Sequence, residues 1–146
     1  MGGNLSVESG DDVQITIRFR SPALNNHGDA VAVDHIDLIA GEISGLKVPG
    51  TSDYKHEESN PSTRVLARFN DWEVDAEGFN HIDYQVSGLT RSMYFRLRGT
   101  NQGLNALNET DDQGNPLCDD LMGPNSEEKA WADLWFYSNP IFVEVH

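Results

Sequence analysis

The sequence is poor in cysteine, in basic side chains and in long apolar runs, and each shortage excludes a class of protein. Its single cysteine, Cys118, cannot form an intrachain disulfide, so the framework of many small secreted domains is absent. Ten basic against 24 acidic side chains give a formal charge of −14, which repels phosphate backbones and argues against nucleic acid as a partner. No apolar run is long enough to span a membrane, so we expect no membrane partner.

Signatures of catalysis are scarce as well. The sequence has no Gly-x-Ser-x-Gly motif and no glycine-rich phosphate loop, and Cys118 has no histidine or basic residue beside it to activate the thiol. The histidines before residue 100 lie on separate segments, without the i, i+2 or i, i+4 spacing that favours a zinc site. We therefore predict that this chain by itself is not an enzyme.

Alternation of apolar and polar residues is the dominant pattern. In residues 13–19 every second side chain is apolar, which is typical of a half-buried strand. About seven such strands, separated by turn residues, predict an all-β domain built as a two-sheet antiparallel β-sandwich, immunoglobulin-like or jelly-roll-like. An eight-stranded barrel is the alternative.

The length of 146 residues suits one domain. We expect residues 11–146 to form this domain and residues 1–10 to be disordered or left over from cloning. The glycine-rich start also resembles that of an excised fragment, so we expect the chain to be one domain of a longer parent. Self-repulsion at this net charge favours a monomer.

Some polar residues inside the predicted strands are expected to have structural roles. The phase of the apolar positions changes at Asp34 and His35, as at a β-bulge, and we expect Asp34 to bond loop amides there rather than a metal. Arg96 and Arg98 point outward from their strand, and we expect them to bond Asp83 across strands.

A long acidic loop, residues 101–133, is the candidate cation site. Aligning Gly114 with the glycine of the twelve-residue calcium loop places Glu109, Asp111 and Asp120 at ligand positions for Ca²⁺. The match is incomplete, because the helices that flank such a loop are missing. A solvated acidic loop without a bound ion is the alternative.

The tryptophans are the candidate ligand-binding residues. Flat aromatic rings on a rigid β-sandwich can stack on the faces of sugar rings. Trp72, Trp131 and Trp135 are the candidates for such a carbohydrate-binding surface. The alternative is that each ring caps the core beside the end of a strand.

Three stretches together resemble a known region. VDHIDLIAGEISG (33–45), YFRLRGTNQ (94–102) and DLWFYSNPIFVEV (133–145) are similar to the C-terminal β-sandwich that follows the catalytic part of polymerase-and-histidinol-phosphatase (PHP)-type metallophosphoesterases. The final Ser-Asn-Pro-Ile segment is the most specific of these matches. Catalysis in that family depends on a His-x-His motif and further ligands in the other domain. This sequence has no His-x-His, so the activity does not carry over.

The resemblance implies a non-catalytic accessory domain that packs on or positions a catalytic domain of the same parent chain. It also favours a periplasmic or secreted location. Two other interpretations stay open. One is a ligand-binding module for carbohydrate or Ca²⁺, and the other is a purely structural domain.

Overall fold

The chain folds into two β-sheets that pack face to face. The computed structural model describes residues 2–29, 31–56, 60–119, 130–131 and 135–146. Its strands are β1 (Gly3–Val7), β2 (Asp11–Phe19), β3 (His35–Glu42), β4 (Arg64–Phe69), β5 (Glu73–Val74), β6 (Asn80–Leu89), β7 (Met93–Thr100), β8 (Cys118–Asp119), β9 (Ala130–Trp131), β10 (Trp135–Tyr137) and β11 (Ile141–Val145). One short helix, α1 (Ser52–His56), lies between β3 and β4. Within the described ranges no helix is long and apolar enough to cross a membrane.

The large sheet has the strand order β1-β11-β7-β3-β4, and β10 pairs with the other half of β7 beside β11. The small sheet has the order β2-β6-β5, and β8 and β9 form a separate ribbon. Apart from the parallel pair β1–β11, the strand pairs are antiparallel. The predicted all-β, two-sheet sandwich is confirmed, and seven of the eleven strands in the described ranges have five or more residues.

The core between the sheets is built from the alternating apolar positions of the longer strands. Its buried members are Val13, Ile17, Ile36, Leu38, Ala40, Ile82, Leu89, Met93, Phe95 and Val143. Burial of one such aliphatic or aromatic side chain stabilises the fold by about 1.5–3 kcal/mol relative to exposure. The period-two pattern of the sequence therefore marks the face of each strand that points inward.

Two details differ from the sequence prediction. Gly3–Val7, expected outside the domain, form β1 and pair in parallel with β11. The segment has only two apolar side chains, Leu5 and Val7, and neither is fully buried, so its pattern is too weak to predict a strand. The second difference concerns the bulge expected at Asp34 and His35, because β3 pairs regularly with β7 from His35 onward. The register shift lies opposite β4, between Leu38 and Ile39, where Leu66 of β4 is the extra residue.

The central strand β3 is buried on both faces over its first half. His35, Ile36, Asp37 and Leu38 are each no more than 1% exposed. The core covers the inward-facing side, which carries Ile36 and Leu38. A segment that follows β7, called here the covering loop (residues 101–117), contacts the opposite side through Gly114 and Asn115. This arrangement creates a closed polar site on the outer face of the large sheet.

Candidate functional site

A buried cluster of charged side chains lies on the outer face of the large sheet. Asp37 of β3 lies directly opposite Arg68 of β4 and Arg98 of β7, and directly opposed residues share one face of a sheet. Arg68 donates from Nε to Asp37 Oδ1 at 2.6 Å and from Nη2 to Oδ2 at 2.9 Å. Arg98 donates from Nε to Oδ2 at 2.9 Å, and its Nη2 contacts the same oxygen. We call these three residues the ion cluster.

The ion cluster holds a carboxylate where water does not reach it, since Asp37 is 0% exposed. Burial alone raises the pKa of a carboxyl group. In Asp37 the hydrogen bonds and charges of Arg68 and Arg98 outweigh this effect and hold its pKa below the usual value. The carboxylate is therefore ionised, and the cluster carries two positive charges against one negative charge.

The covering loop closes over the ion cluster through two residues. The side-chain oxygen of Asn115 accepts hydrogen bonds from Nη2 of Arg68 at 3.4 Å and from Nη2 of Arg98 at 3.3 Å. The carbonyl oxygen of Gly114 accepts a bond from Nη2 of Arg68 at 3.3 Å. Gly114 has a φ of +75°, and a Cβ there would lie 2.7 Å from Nη1 of Arg68 and from Cδ2 of Leu104. This close approach requires glycine.

Asp111 shapes the covering loop from within. Its Oδ1 accepts the backbone N–H of Gln113 at 2.9 Å and of Asn115 at 2.7 Å, while Oδ2 accepts the side-chain amide of Asn115 at 3.1 Å. Partial desolvation opposes ionisation of Asp111, but these bonds to Asn115 and Gln113 prevail and keep its pKa below the usual value. Asp111 thereby orients Asn115 toward the two arginines.

These contacts bear on the candidate Ca²⁺ ligands. The carboxylate of Asp111 is engaged by N–H donors of its own loop. Oε2 of Glu109 is buried and has no hydrogen-bond partner among the described residues. Asp120 lies outside the described residues. The described part of the chain contains no group of three His, Cys, Asp or Glu side chains arranged to hold a metal ion. The Ca²⁺ site stays a prediction.

His35 lies at the edge of the ion cluster, facing two oxygen atoms. Its Nδ1 is 2.8 Å from Oδ1 of Asp34, and its Nε2 is 3.2 Å from the carbonyl oxygen of Gly114. The imidazole and the indole of Trp135 pack in a T-shaped arrangement, with ring centroids 5.8 Å apart. The expected bond of Asp34 to loop amides is thus replaced by a contact with the neighbouring imidazole ring.

Of the candidate tryptophans, Trp135 and Trp72 line different cavities. Trp135 stacks on the guanidinium of Arg98, 5.0 Å from ring centroid to Cζ, and lines a cavity of about 400 Å³ with Phe136. Its indole Nε1 has no hydrogen-bond partner in the described part of the chain. Trp72 packs edge-on against Phe19 at 4.9 Å and joins the core. The side chain of Trp131 lies outside the described residues. Trp135 is therefore the candidate that combines a cavity with an unpartnered donor.

The expected bond between Arg98 and Asp83 is wrong. Asp83 lies on β6 in the small sheet, where Oγ1 of Thr16 donates to it at 2.7 Å. Arg98 lies on β7 in the large sheet and bonds Asp37. Arg96, also expected to bond Asp83, stacks instead over the ring of Tyr137, 4.7 Å from Cζ to centroid.

An exposed patch continues the outer face beyond the covering loop. It consists of Arg96, Tyr137 and Phe142, and we call it the aromatic–arginine patch. Tyr137 is opposite Arg98, and Phe142 is opposite Tyr94, so these side chains share the outer face. Tyr137 is 51% and Phe142 39% exposed. Arg96 forms no ion pair with a carboxylate within the described ranges.

An apolar cleft opens at the side of the sandwich, a feature that the sequence did not predict. β1 ends the large sheet and β2 ends the small sheet. A cavity of about 620 Å³ lies between these two edges, with core side chains at its base. Its apolar lining comes from Ile15, Ile17, Leu38, Phe95, Leu97 and Ile141.

Comparisons with known proteins give no match. Neither a family model, nor a curated protein, nor a solved structure matches this chain. The functional argument therefore depends on the residues of the chain itself.

Proposed function

We propose that this chain is a non-catalytic accessory β-sandwich of a larger metal-dependent phosphoesterase, where it packs on or positions the catalytic domain. One observation carries the proposal. The three stretches that resemble the PHP-associated region are far apart in sequence, yet their described parts lie on the neighbouring strands β3, β7 and β10–β11. A resemblance spread over three adjacent strands concerns one structural unit, and this supports a shared fold rather than three chance matches.

The side chains that these stretches contribute to the ion cluster support a structural role. Asp37 comes from the first stretch and Arg98 from the second, and they bond each other. Trp135 comes from the third and stacks on Arg98. Their polar groups are directed at one another and at the covering loop, so they stabilise the face of a sheet.

The aromatic–arginine patch is the surface where the catalytic domain would dock. Tyrosine, phenylalanine and arginine are enriched in protein interfaces, where their large side chains lose contact with water. The patch lies on the outer face of β7, β10 and β11, on strands that carry the resemblance. Arg96, with no carboxylate partner among the described residues, would pair with an acidic group of the catalytic domain.

The test starts from the genomic reading frame. We expect a PHP-type domain in the same frame, which can be produced separately and titrated with this chain by calorimetry. Replacement of Phe142 or Tyr137 by alanine should weaken binding by about tenfold or more, as interface anchors do. Val74→Ala is the control, because Val74 is also an exposed apolar residue but lies on β5 of the small sheet. A reading frame without a phosphoesterase domain contradicts the proposal.

Activity measurements on the isolated chain give a second test. We expect no hydrolysis of phosphomonoesters or phosphodiesters after addition of Mn²⁺ or Zn²⁺. Turnover that requires the metal, persists through rigorous purification and co-elutes with the folded chain would show that the chain is itself an enzyme.

A second candidate function is carbohydrate binding at the Trp135 cavity. The observation that favours it is the combination of two aromatic rings, Trp135 and Phe136, with the unpartnered indole N–H. Stacking and one donor suit a sugar ring. An oligosaccharide array read by tryptophan fluorescence tests it, with Trp135→Phe expected to abolish binding and Trp72→Phe expected to preserve it.

A further inference from the structure

His35 is a buried titratable side chain to which the proposed function assigns no role. It opens β3 opposite Thr100 of β7 and is 1% exposed. Both ring nitrogens lie at hydrogen-bond distance from an oxygen, Nδ1 from a carboxylate oxygen of Asp34 and Nε2 from the carbonyl oxygen of Gly114. A carboxylate and a carbonyl oxygen only accept hydrogen bonds.

This geometry determines how many protons the ring needs. Neutral imidazole has one N–H and one lone pair, so it satisfies one of the two oxygens and turns a lone pair toward the other. Imidazolium has an N–H on each nitrogen and donates to both. The side chain of Asp34 is 43% exposed, and its Oδ1 is the oxygen that faces Nδ1. The arrangement therefore fits a protonated His35.

Charged side chains from several elements lie around the ring. Arg98 of β7 and Arg68 of β4 contribute positive charges near the ring. Asp34 and Asp37 of the β3 segment and Asp111 of the covering loop contribute negative charges. Three carboxylates thus face two guanidinium groups, and an imidazolium makes the group neutral. Trp135 of β10, which packs against the imidazole, and Thr100 of β7, which lies opposite it, are uncharged.

We propose that His35 is a proton-dependent clasp between β3 and the covering loop. In its protonated form it bonds Asp34 and Gly114 together, and loss of the proton releases one of these contacts. The closed loop then binds one proton more than the open loop, so a rising pH promotes opening. Arg68 also bonds the carbonyl oxygen of Gly114, which confines the change to a local loosening. The inference is independent of the proposed function.

NMR spectroscopy of the full chain tests the clasp. Imidazole ¹⁵N shifts report whether one or both nitrogens of His35 carry a proton, and amide exchange reports opening of the loop at Gly114 and Asn115. From about pH 5.5 to about pH 8.5, where histidine exchanges its proton, we expect both nitrogens protonated at the acidic end. Protection of the loop amides, corrected for intrinsic exchange, should fall by at most about tenfold per pH unit, the limit for linkage to one proton.

Asp34→Asn is the decisive variant, because it changes an exposed side chain and keeps His35. An asparagine amide can donate a hydrogen bond to the lone pair on Nδ1. A neutral imidazole can then donate from Nε2 to the carbonyl oxygen of Gly114, and no lone pair of the ring faces an oxygen atom. Loop protection in this variant should lose most of its pH dependence. His27→Gln, at an exposed position, is the matched control and should keep the wild-type dependence.

Two results would overturn the clasp. One is a single neutral tautomer of His35 across the whole pH range with the loop closed. The other is equal pH dependence of loop protection in the wild type and in Asp34→Asn. Because neither variant removes a buried group, both are expected to fold, and each outcome bears directly on the proposal.

Discussion

Asp37 and Arg98 lie directly opposite each other on β3 and β7, and the guanidinium of Arg98 donates to the fully buried carboxylate of Asp37. Arg68 completes the arrangement from the other side. The carboxylate of Asp37 fixes the positions of both guanidinium groups. These groups in turn donate hydrogen bonds to Gly114 and Asn115, so Asp37 also stabilises the position of the covering loop. Loss of the carboxylate would leave two guanidinium groups without a counter-ion at a largely buried site.

Replacement of Asp37 by asparagine should therefore be strongly destabilising. Asparagine keeps the shape but leaves two guanidinium groups without a counter-ion, and removal of one partner from a buried ion pair costs about 3–5 kcal/mol. Urea denaturation measures the loss. Glu144→Gln, an exposed carboxylate on β11, is the matched control and should change stability far less. Equal effects of the two substitutions would contradict the role given to the ion cluster.

The same carboxylate determines part of the response to acid. The pKa of Asp37 is lowered in the folded protein, so its contribution to stability is present above the value of an unfolded aspartate, about 3.9. The contribution is lost as the pH falls through the lowered folded-state value. The difference in stability between wild type and Asp37→Asn should thus be full near pH 6 and shrink on acidification.

Urea titrations at a series of pH values follow this difference. Asp75, Asp83 and Asp111 also have lowered pKa values, so the wild type alone does not isolate one group. Subtraction of the Asp37→Asn curve removes the contributions that both proteins share. A difference that stays constant down to about pH 2 would mean that Asp37 does not titrate in this range.

Gly114→Ala should detach the covering loop from the ion cluster. Alanine at a positive φ costs about 1–2 kcal/mol, and its Cβ would also press on Arg68 and Leu104. Gly88 provides the matched control, because its φ is +62° but no atom lies within 4 Å of a Cβ there. Both substitutions should lower stability in urea, Gly114→Ala by more. An equal loss would show that the contact with Arg68 is dispensable.

The strands were predictable from the sequence because burial of one face imposes a period of two. The alternation in residues 13–19 predicted most of β2, and the outward direction of Arg96 and Arg98 was also predicted for β7. β1 was missed because its pairing with β11 depends on backbone hydrogen bonds, which leave little trace in the side-chain pattern.

The ion cluster was not predictable because alternation does not say which strands are neighbours. The link between β6 and β7, residues 90–92, has the length of a hairpin loop, and a hairpin would bring Arg98 close to Asp83. The link instead crosses from the small sheet to the large sheet. One signal was available: Asp37 lies between the apolar residues Ile36 and Leu38 of β3, and a buried charge requires a partner of opposite sign.

Gly99 provides a steric test of how Trp135 is held over Arg98. Gly99 of β7 lies opposite Phe136 of β10, and the phenylalanine ring occupies the space that a Cβ at position 99 would need. Gly99→Ala should therefore displace Phe136 and, with it, the neighbouring Trp135. Overpacking of this kind costs about 1–3 kcal/mol, and the indole N–H signal of Trp135 should shift. Gly3→Ala, with no atom within 4 Å of its Cβ, is the control.

A second substitution distinguishes displacement of the Phe136 ring from a general loss of structure. Phe136→Leu shortens the side chain that collides, so the double variant Gly99→Ala/Phe136→Leu should recover much of the stability and return the Trp135 signal toward its original position. If Gly99→Ala leaves that signal unchanged, the ring of Phe136 can move without β10. The stacking of Trp135 on Arg98 would then depend on the indole itself rather than on the pairing of β10 with β7.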